Sequence, residues 1–251
     1  MATVSDSVSD TIAHSAPRSR DFIGDQRFFT RLAIGLALFI VIAFAQFALR
    51  GIVDYRTAPF WVHLHGGFML AWLALFTTQN WLIERRAIVQ HRVLGRIGVV
   101  LAMLVALTAS FTGYWAVAME RQPPFFPPAY FIALTQVTAV FYMALVFWAV
   151  SLRRNTQWHR RLMFASLILI LEPALGRVLP LPLMMPWGEW AVLVVQLAVF
   201  LIILRHDRKT LGRMHPATWA GIAAVTLQHV VIEGLAIAPP FIRFAEAIAA
   251  R

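Results

Sequence analysis

Residues 91–119 read HRVLGRIGVVLAMLVALTASFTGYWAVAM, and after Arg96 no charged side chain occurs until Glu120. A helix rising about 1.5 Å per residue needs about 20 such residues to cross about 30 Å of hydrocarbon. Barrel strands are alternating segments of about ten residues, much shorter than this run. Six further stretches have the same character: 32–53, 60–83, 129–152, 158–179, 187–204 and 216–238. The expected fold is therefore an all-α polytopic membrane protein, a bundle of seven transmembrane helices. Composition agrees: 60% of residues are hydrophobic, 14% are charged and the mean hydropathy is +0.70, where a soluble domain carries about a quarter charged residues. The expected division is a flexible cytoplasmic N-terminal arm, 1–28, and a single seven-helix transmembrane domain, 29–251.

The charge is segregated. Sixteen of the 22 Lys and Arg fall in the N-terminal arm and in every second loop. They are Arg18, Arg20, Arg27 and Arg31; Arg85, Arg86, Arg92 and Arg96; Arg153, Arg154, Arg160 and Arg161; Arg205, Arg208, Lys209 and Arg213. The positive-inside rule then predicts a cytoplasmic N-terminus, and seven spans put the C-terminus outside. The net charge of +10 is accounted for by belts facing anionic headgroups, each cation contributing about 1 kcal/mol of surface attraction, and it is no signal for nucleic acid. The arm has no apolar segment of its own, so no cleavable signal peptide is expected and the first span directs insertion.

Several chemistries are excluded outright. The chain has no cysteine, which removes disulfides, thiolate metal sites and cysteine nucleophiles. Its one lysine, Lys209, lies in a loop, which removes a retinal Schiff base. No phosphate loop, nucleophile elbow or zinc-protease helix motif is present. Trp61, Trp81, Trp115, Trp158, Trp187, Trp190 and Trp219 fall near span ends, as an interfacial belt does.

A repeat runs through the basic loops. Arg85-Arg86 is followed by His91-Arg92 and Leu94, and Arg153-Arg154 by His159-Arg160 and Leu162, at identical offsets. A looser third copy is Arg208-Lys209 followed by His215. Two readings are open for these histidines: interfacial anchoring, or a ligand held between His91 and His159, since neutral imidazole is a common metal ligand and the axial ligand of haem.

The segment His65-Gly66-x-x-Met69-x-x-Trp72, followed by His91-Arg92 and Gly95, resembles the first two core helices of cytochrome b561-like membrane proteins. His159-Arg160-Arg161-Leu162-Met163 resembles their fourth core helix, and more closely an uncharacterised b561-related group of bacterial membrane proteins. The resemblance covers residues 60–179 and implies a four-helix core and the bacterial inner (cytoplasmic) membrane. It implies haem b between His91 and His159 on the cytoplasmic side, with Arg92 and Arg160 offsetting the propionates. His65 would ligate an outer haem, but its partner is due on span 129–152, which has no histidine. One haem or none is therefore expected, with quinone as the accompanying small-molecule partner.

A second group of polar residues should lie in the outer half of the bundle: Gln46, His63, His65, Glu172, His229 and Glu233. Ionisable groups cost roughly 2.5–3.5 kcal/mol at mid-helix, so they turn inward and pair. Three readings are open. Glu172–Arg177 and His229–Glu233 are buried pairs; or His63, His65, His229, Glu233 and Glu172 supply ligands for zinc or copper; or His229 joins His65 on an outer haem. Pro173 should kink the fifth span beside Glu172.

The leading functional expectation is an integral membrane b-type haem protein that transfers electrons, exchanging them with quinol near the cytoplasmic face; the electron donor and acceptor are left open. The rivals are a haem-free transporter, sensor or assembly factor, and a metal-dependent membrane enzyme using the outer His and Glu residues. Whether the chain is an enzyme, its catalytic residues and its oligomeric state are left open by the sequence.

Overall fold

A computed structural model of the chain describes residues 19–251; residues 1–18, most of the expected flexible arm, lie outside the described residues. The described residues form α1 (Ser19–Leu49), a 3-10 turn (Tyr55–Thr57), α2 (Phe60–Glu84), α3 (Ile88–Ala118), α4 (Pro128–Ser151), α5 (Thr156–Leu169), α6 (Glu172–Val178), α7 (Leu181–Met184), α8 (Gly188–Leu211), α9 (Pro216–Ala236) and α10 (Pro239–Ala249), with no strand among them. Six helices, α1 to α4, α8 and α9, are long and apolar enough to cross a membrane. Large apolar side chains such as Leu38, Ile42, Leu107, Val140, Val194, Leu201 and Leu227 are exposed around them. Such faces are stable against lipid tails and costly against water. The chain is a multi-pass helical membrane protein.

Local chemistry sets the helix ends. Pro128, Pro216 and Pro239 open α4, α9 and α10, where the missing N–H costs nothing. Asn155 caps α5 by accepting from the Trp158 N–H at 3.4 Å, and Gly212 ends α8 at φ +69, a conformation that costs glycine little.

The expected fifth span, 158–179, is not one continuous helix. It divides into α5 and α6 around Ile170 and Leu171. Pro173 has no N–H to give the Leu169 carbonyl, so the ladder cannot continue there. The freed Leu169 carbonyl is met from outside: Gln196 Nε2 on α8 donates to it at 3.1 Å and also to the Ile168 carbonyl at 3.0 Å, which accepts the Leu171 N–H as well. Every residue from Phe164 to Glu172 is buried, because α4, α8 and α9 pack on α5 while α1 and α8 pack on α6. A broken helix at membrane depth is tolerable only when protein surrounds it. Close approach is needed here: a Cβ on Gly221 of α9 would lie 2.7 Å from the Ala165 Cβ and 3.0 Å from the Phe200 ring.

Two polar links fix the direction of this segment. Arg160 near the start of α5 bonds Asp25 near the start of α1, and Gln46 near the end of α1 donates to the Arg177 carbonyl of α6 at 2.9 Å. The α5–α6 pair therefore runs beside α1 from the arginine-rich end of the bundle to the opposite end.

The domain boundary expected at residue 28 is displaced, because α1 already begins at Ser19. Asp25 and Gln26, assigned to the arm, are buried. Asp25 meets Arg160 and also His206 Nε2, at 2.8 Å, while Gln26 Nε2 donates to the Asn80 carbonyl at 3.1 Å. Phe28 stacks on the His206 ring, centroids 3.7 Å apart. Polar contacts to buried partners hold this turn in the helix. Beyond the last expected span, α10 is amphipathic: Ala245 and Ile248 pack against Val117, Ala129 and Ile132, while Arg243 and Glu246 are exposed.

The arginine-rich end also holds the most deeply buried ion pair. Arg161 is 1% exposed. Its Nε lies 3.0 Å from Asp207 Oδ1 and its Nη2 bonds the same carboxylate. Asp207 Oδ2 accepts from the Thr218 hydroxyl at 2.6 Å and from the His215 N–H at 3.2 Å. One carboxylate thereby joins α5, α8 and α9.

Candidate functional site

His91 and His159 are each the fourth residue of their helices, α3 and α5, so the repeated motif places them at equivalent points. Their rings are 6.5 Å apart between centroids and nearly perpendicular, at 83°. They border a cavity of about 970 Å³ walled by Trp72, Phe76, Val146, Met163 and Phe164 and rimmed by Arg92, Arg96, Arg153 and Arg154. His159 Nδ1 lies 2.8 Å from the Ala149 carbonyl. A carbonyl only accepts, so Nδ1 carries the proton and Nε2 keeps its lone pair, the usual way a ligating histidine is oriented. Trp72 Nε1, both amide atoms of Gln79 and His91 Nδ1 also line or border this cavity, and all are buried without a hydrogen-bond partner. Buried polar atoms are normally satisfied, and Arg160 Nε is a fifth such atom at this cavity.

A bis-imidazole haem fits this donor set. The apolar walls suit a porphyrin and the rim arginines suit its carboxylates. The expected role of Arg160 changes, however. It is already engaged by Asp25, by Gln26 Oε1 at 3.2 Å and by Gln157 Oε1 at 3.1 Å, and it lies over the Phe29 ring at 4.1 Å. Arg92 and Arg96 line the cavity on α3. His215, the third histidine of the repeat, caps α9 by accepting from the Ala217 N–H at 3.1 Å. Burial and the nearby Arg161 hold its pKa below the ordinary histidine range.

The outer residues separate into two places. On α2, His63 is exposed and His65 Nδ1 lies 3.0 Å from the Thr108 hydroxyl of α3. Thr108 gives its own proton to the Leu104 carbonyl at 2.6 Å, so His65 donates in that bond and is tied to the α2–α3 seam.

The second place collects Glu172, Glu189 and His229, with one ligand atom of each within 4.8 Å of the other two. Glu172 and His229 stood among the expected metal ligands; His63, His65 and Glu233 are outside this triplet, and Glu233 is half-buried one turn beyond His229. His229 meets Glu189 Oε1, Nδ1 to oxygen 2.5 Å, rather than Glu233. Glu172 does not pair with Arg177. Five helical residues turn a side chain through roughly 140°, to another face; Arg177 instead donates to the Pro173 carbonyl at 2.7 Å and lies over the Phe44 ring at 3.8 Å.

Glu189, Tyr130, Gln196 and Gln228 were not anticipated. The signal for two of them was present: Glu189 and Gln196 are seven residues apart in the sixth span, hence on one helix face.

No protein-family model, no curated protein and no solved structure matches the chain.

Proposed function

We propose that the chain is a membrane-embedded b-type haem protein that transfers electrons, with the haem held between His91 and His159. The observation that carries this reading is the perpendicular histidine pair, 6.5 Å between centroids, bordering an apolar cavity with an arginine rim. Haem supplies one-electron redox chemistry when bound. The protein's own residues do the rest. The Ala149 carbonyl holds His159 in the tautomer that leaves Nε2 basic. Trp72, Phe76 and Phe164 exclude water from the ring faces, and low polarity around a redox centre tunes its potential. Arg92 and Arg96 offset the propionate charge at the rim. His91 and His159 would hold the haem, and a haem so ligated by two histidines would supply electron transfer rather than oxygen chemistry.

The same reading covers topology and partners. The α5–α6 pair acts as a seventh crossing, α2 to α5 make a b561-like core around the cavity, and the arginine belts put that end at the cytoplasmic leaflet of a bacterial inner membrane. Quinol, an amphiphile that partitions into the bilayer, is the proposed electron donor.

The test is an absorption spectrum of detergent-purified protein expressed with haem supplied, first oxidised and then reduced with dithionite. A sharp reduced α-band with a shifted Soret peak is expected. His91→Ala and His159→Ala should each abolish it, while His229→Ala should leave it in place. A featureless spectrum from well-folded protein, or full haem content in both histidine variants, overturns the reading.

A further inference from the structure

Each carboxylate in the outer triplet has one oxygen committed and one left over. Glu189 Oε2 accepts from the Tyr130 hydroxyl. Glu172 Oε2 accepts from Gln228 Nε2 at 2.8 Å and from the Thr138 hydroxyl at 3.3 Å. The other oxygens, Glu189 Oε1 and Glu172 Oε1, and His229 Nδ1 are buried and have no hydrogen-bond partner outside the triplet; Nδ1 lies 2.5 Å from Glu189 Oε1. These side chains are 4%, 5% and 0% exposed.

The protonation of His229 follows from the break in the α5–α6 segment. Gln196 must turn its NH₂ toward the carbonyls of Ile168 and Leu169, which only accept. Its Oε1 therefore faces His229 Nε2 at 2.6 Å, and Nε2 must donate. Nδ1 faces the two remaining carboxylate oxygens, 2.5 Å from Glu189 Oε1. No neighbouring side chain donates to these three atoms, so a positive centre shared among them, a proton or a cation, must hold them together.

We infer that Glu172 Oε1, Glu189 Oε1 and His229 Nδ1 form a binding site for one divalent first-row metal cation. Charge supports this strongly: two carboxylates and a neutral imidazole carry −2, which one dication cancels, and uncompensated charge at this depth is costly. The two-oxygen, one-nitrogen donor set suits zinc, ferrous iron or manganese; calcium takes six or more oxygens, and soft cuprous ion takes sulfur. Hydrogen bonds from Tyr130, Gln228 and Thr138, and the one His229 gives to Gln196, orient the ligands as outer partners in metal sites do. Three protein ligands leave a fourth position for a small molecule. The site shares no residue with the His91–His159 pocket and stands independently of the haem reading.

Zinc is the probe. Full-length protein in detergent, freed of metal by chelator and monodisperse on size exclusion, is titrated with Zn²⁺ by calorimetry and with Co²⁺ by visible absorbance. One equivalent should bind, with d–d bands from Co²⁺, and Zn²⁺ should raise the unfolding temperature. Glu189→Gln keeps the volume of the side chain and should abolish stoichiometric binding, as should His229→Gln. Tyr130→Phe, which removes only a supporting hydroxyl, should weaken binding roughly 10–100-fold and serves as the reading if the others do not fold. His91→Ala should bind Zn²⁺ as the unaltered chain does. No binding to folded unaltered protein overturns the proposal, as does unchanged affinity in Glu189→Gln or Tyr130→Phe, or loss of binding in His91→Ala.

Discussion

Arg161–Asp207 and Glu172–Glu189–His229 are both buried ionic groups that join helices across the bundle, and they are built in opposite ways. In the first, cation and anion are present together, and both oxygens of Asp207 receive donors from Arg161, Thr218 and the His215 backbone. In the second, two carboxylates and an imidazole nitrogen face one another, the neighbouring donors are spent on the outward oxygens, and His229 Nε2 donates away to Gln196. Burial alone does not separate a structural ion pair from a binding site. Whether the polar atoms are all satisfied does, because an unmatched buried polar atom costs about 1–3 kcal/mol and more when charged.

Each arm of this contrast can be broken. Asp207→Ala leaves the buried Arg161 guanidinium with neutral Gln157 but no counter-charge, and should cost about 3–5 kcal/mol, read as loss of stability in chemical unfolding. The double variant Arg161→Met, Asp207→Leu should recover most of that loss; if it does not, the pair does more than hold helices together. Next in size is Gln196→Ala, which strips the Leu169 carbonyl and His229 Nε2 of their partner and should cost about 1–3 kcal/mol. It should also weaken Zn²⁺ binding while leaving any haem band unmoved. An equal fall in both signals would mean that the two regions are not separate.

The smallest effect concerns the capped start of α9. His215 in the folded protein holds its proton less well than in the unfolded chain. Its contribution is therefore present above the unfolded value of about 6.5 and is lost as pH falls from there toward the lower folded value. His215→Asn keeps a side chain able to cap α9. Unfolding temperatures compared between pH 7.5 and pH 5 should drop slightly more in the unaltered chain than in this variant; an equal drop would show that His215 binds its proton as readily in the folded as in the unfolded chain.

Legibility in the sequence varied with the range of the interaction. The six long helices were readable because crossing hydrocarbon imposes a length on each helix separately. The histidine repeat was readable because motif and helix start are local, and the structure brings the two rings within 6.5 Å. Pro173 announced a disruption, yet the division into α5 and α6 depends on Gln196, 23 residues beyond it, supplying the missing donor. Asp25 and Gln26 looked like arm because their partners Arg160, His206 and Asn80 are far along the chain. Glu189 passed unnoticed because nothing beside it in sequence is His229.

The sequence by itself determined the helical membrane class, the apolar segments that cross, the segregation of positive charge and the exclusion of cysteine and lysine chemistries. Those follow from hydrophobic length and residue type, which each segment carries alone. Only the tertiary structure decided which buried acids and bases meet, where the fifth segment breaks and which polar atoms remain without partners. Such pairings depend on helix rotation and neighbour choice, and lipid, being as apolar as the helix faces, leaves both to packing and hydrogen bonding between helices.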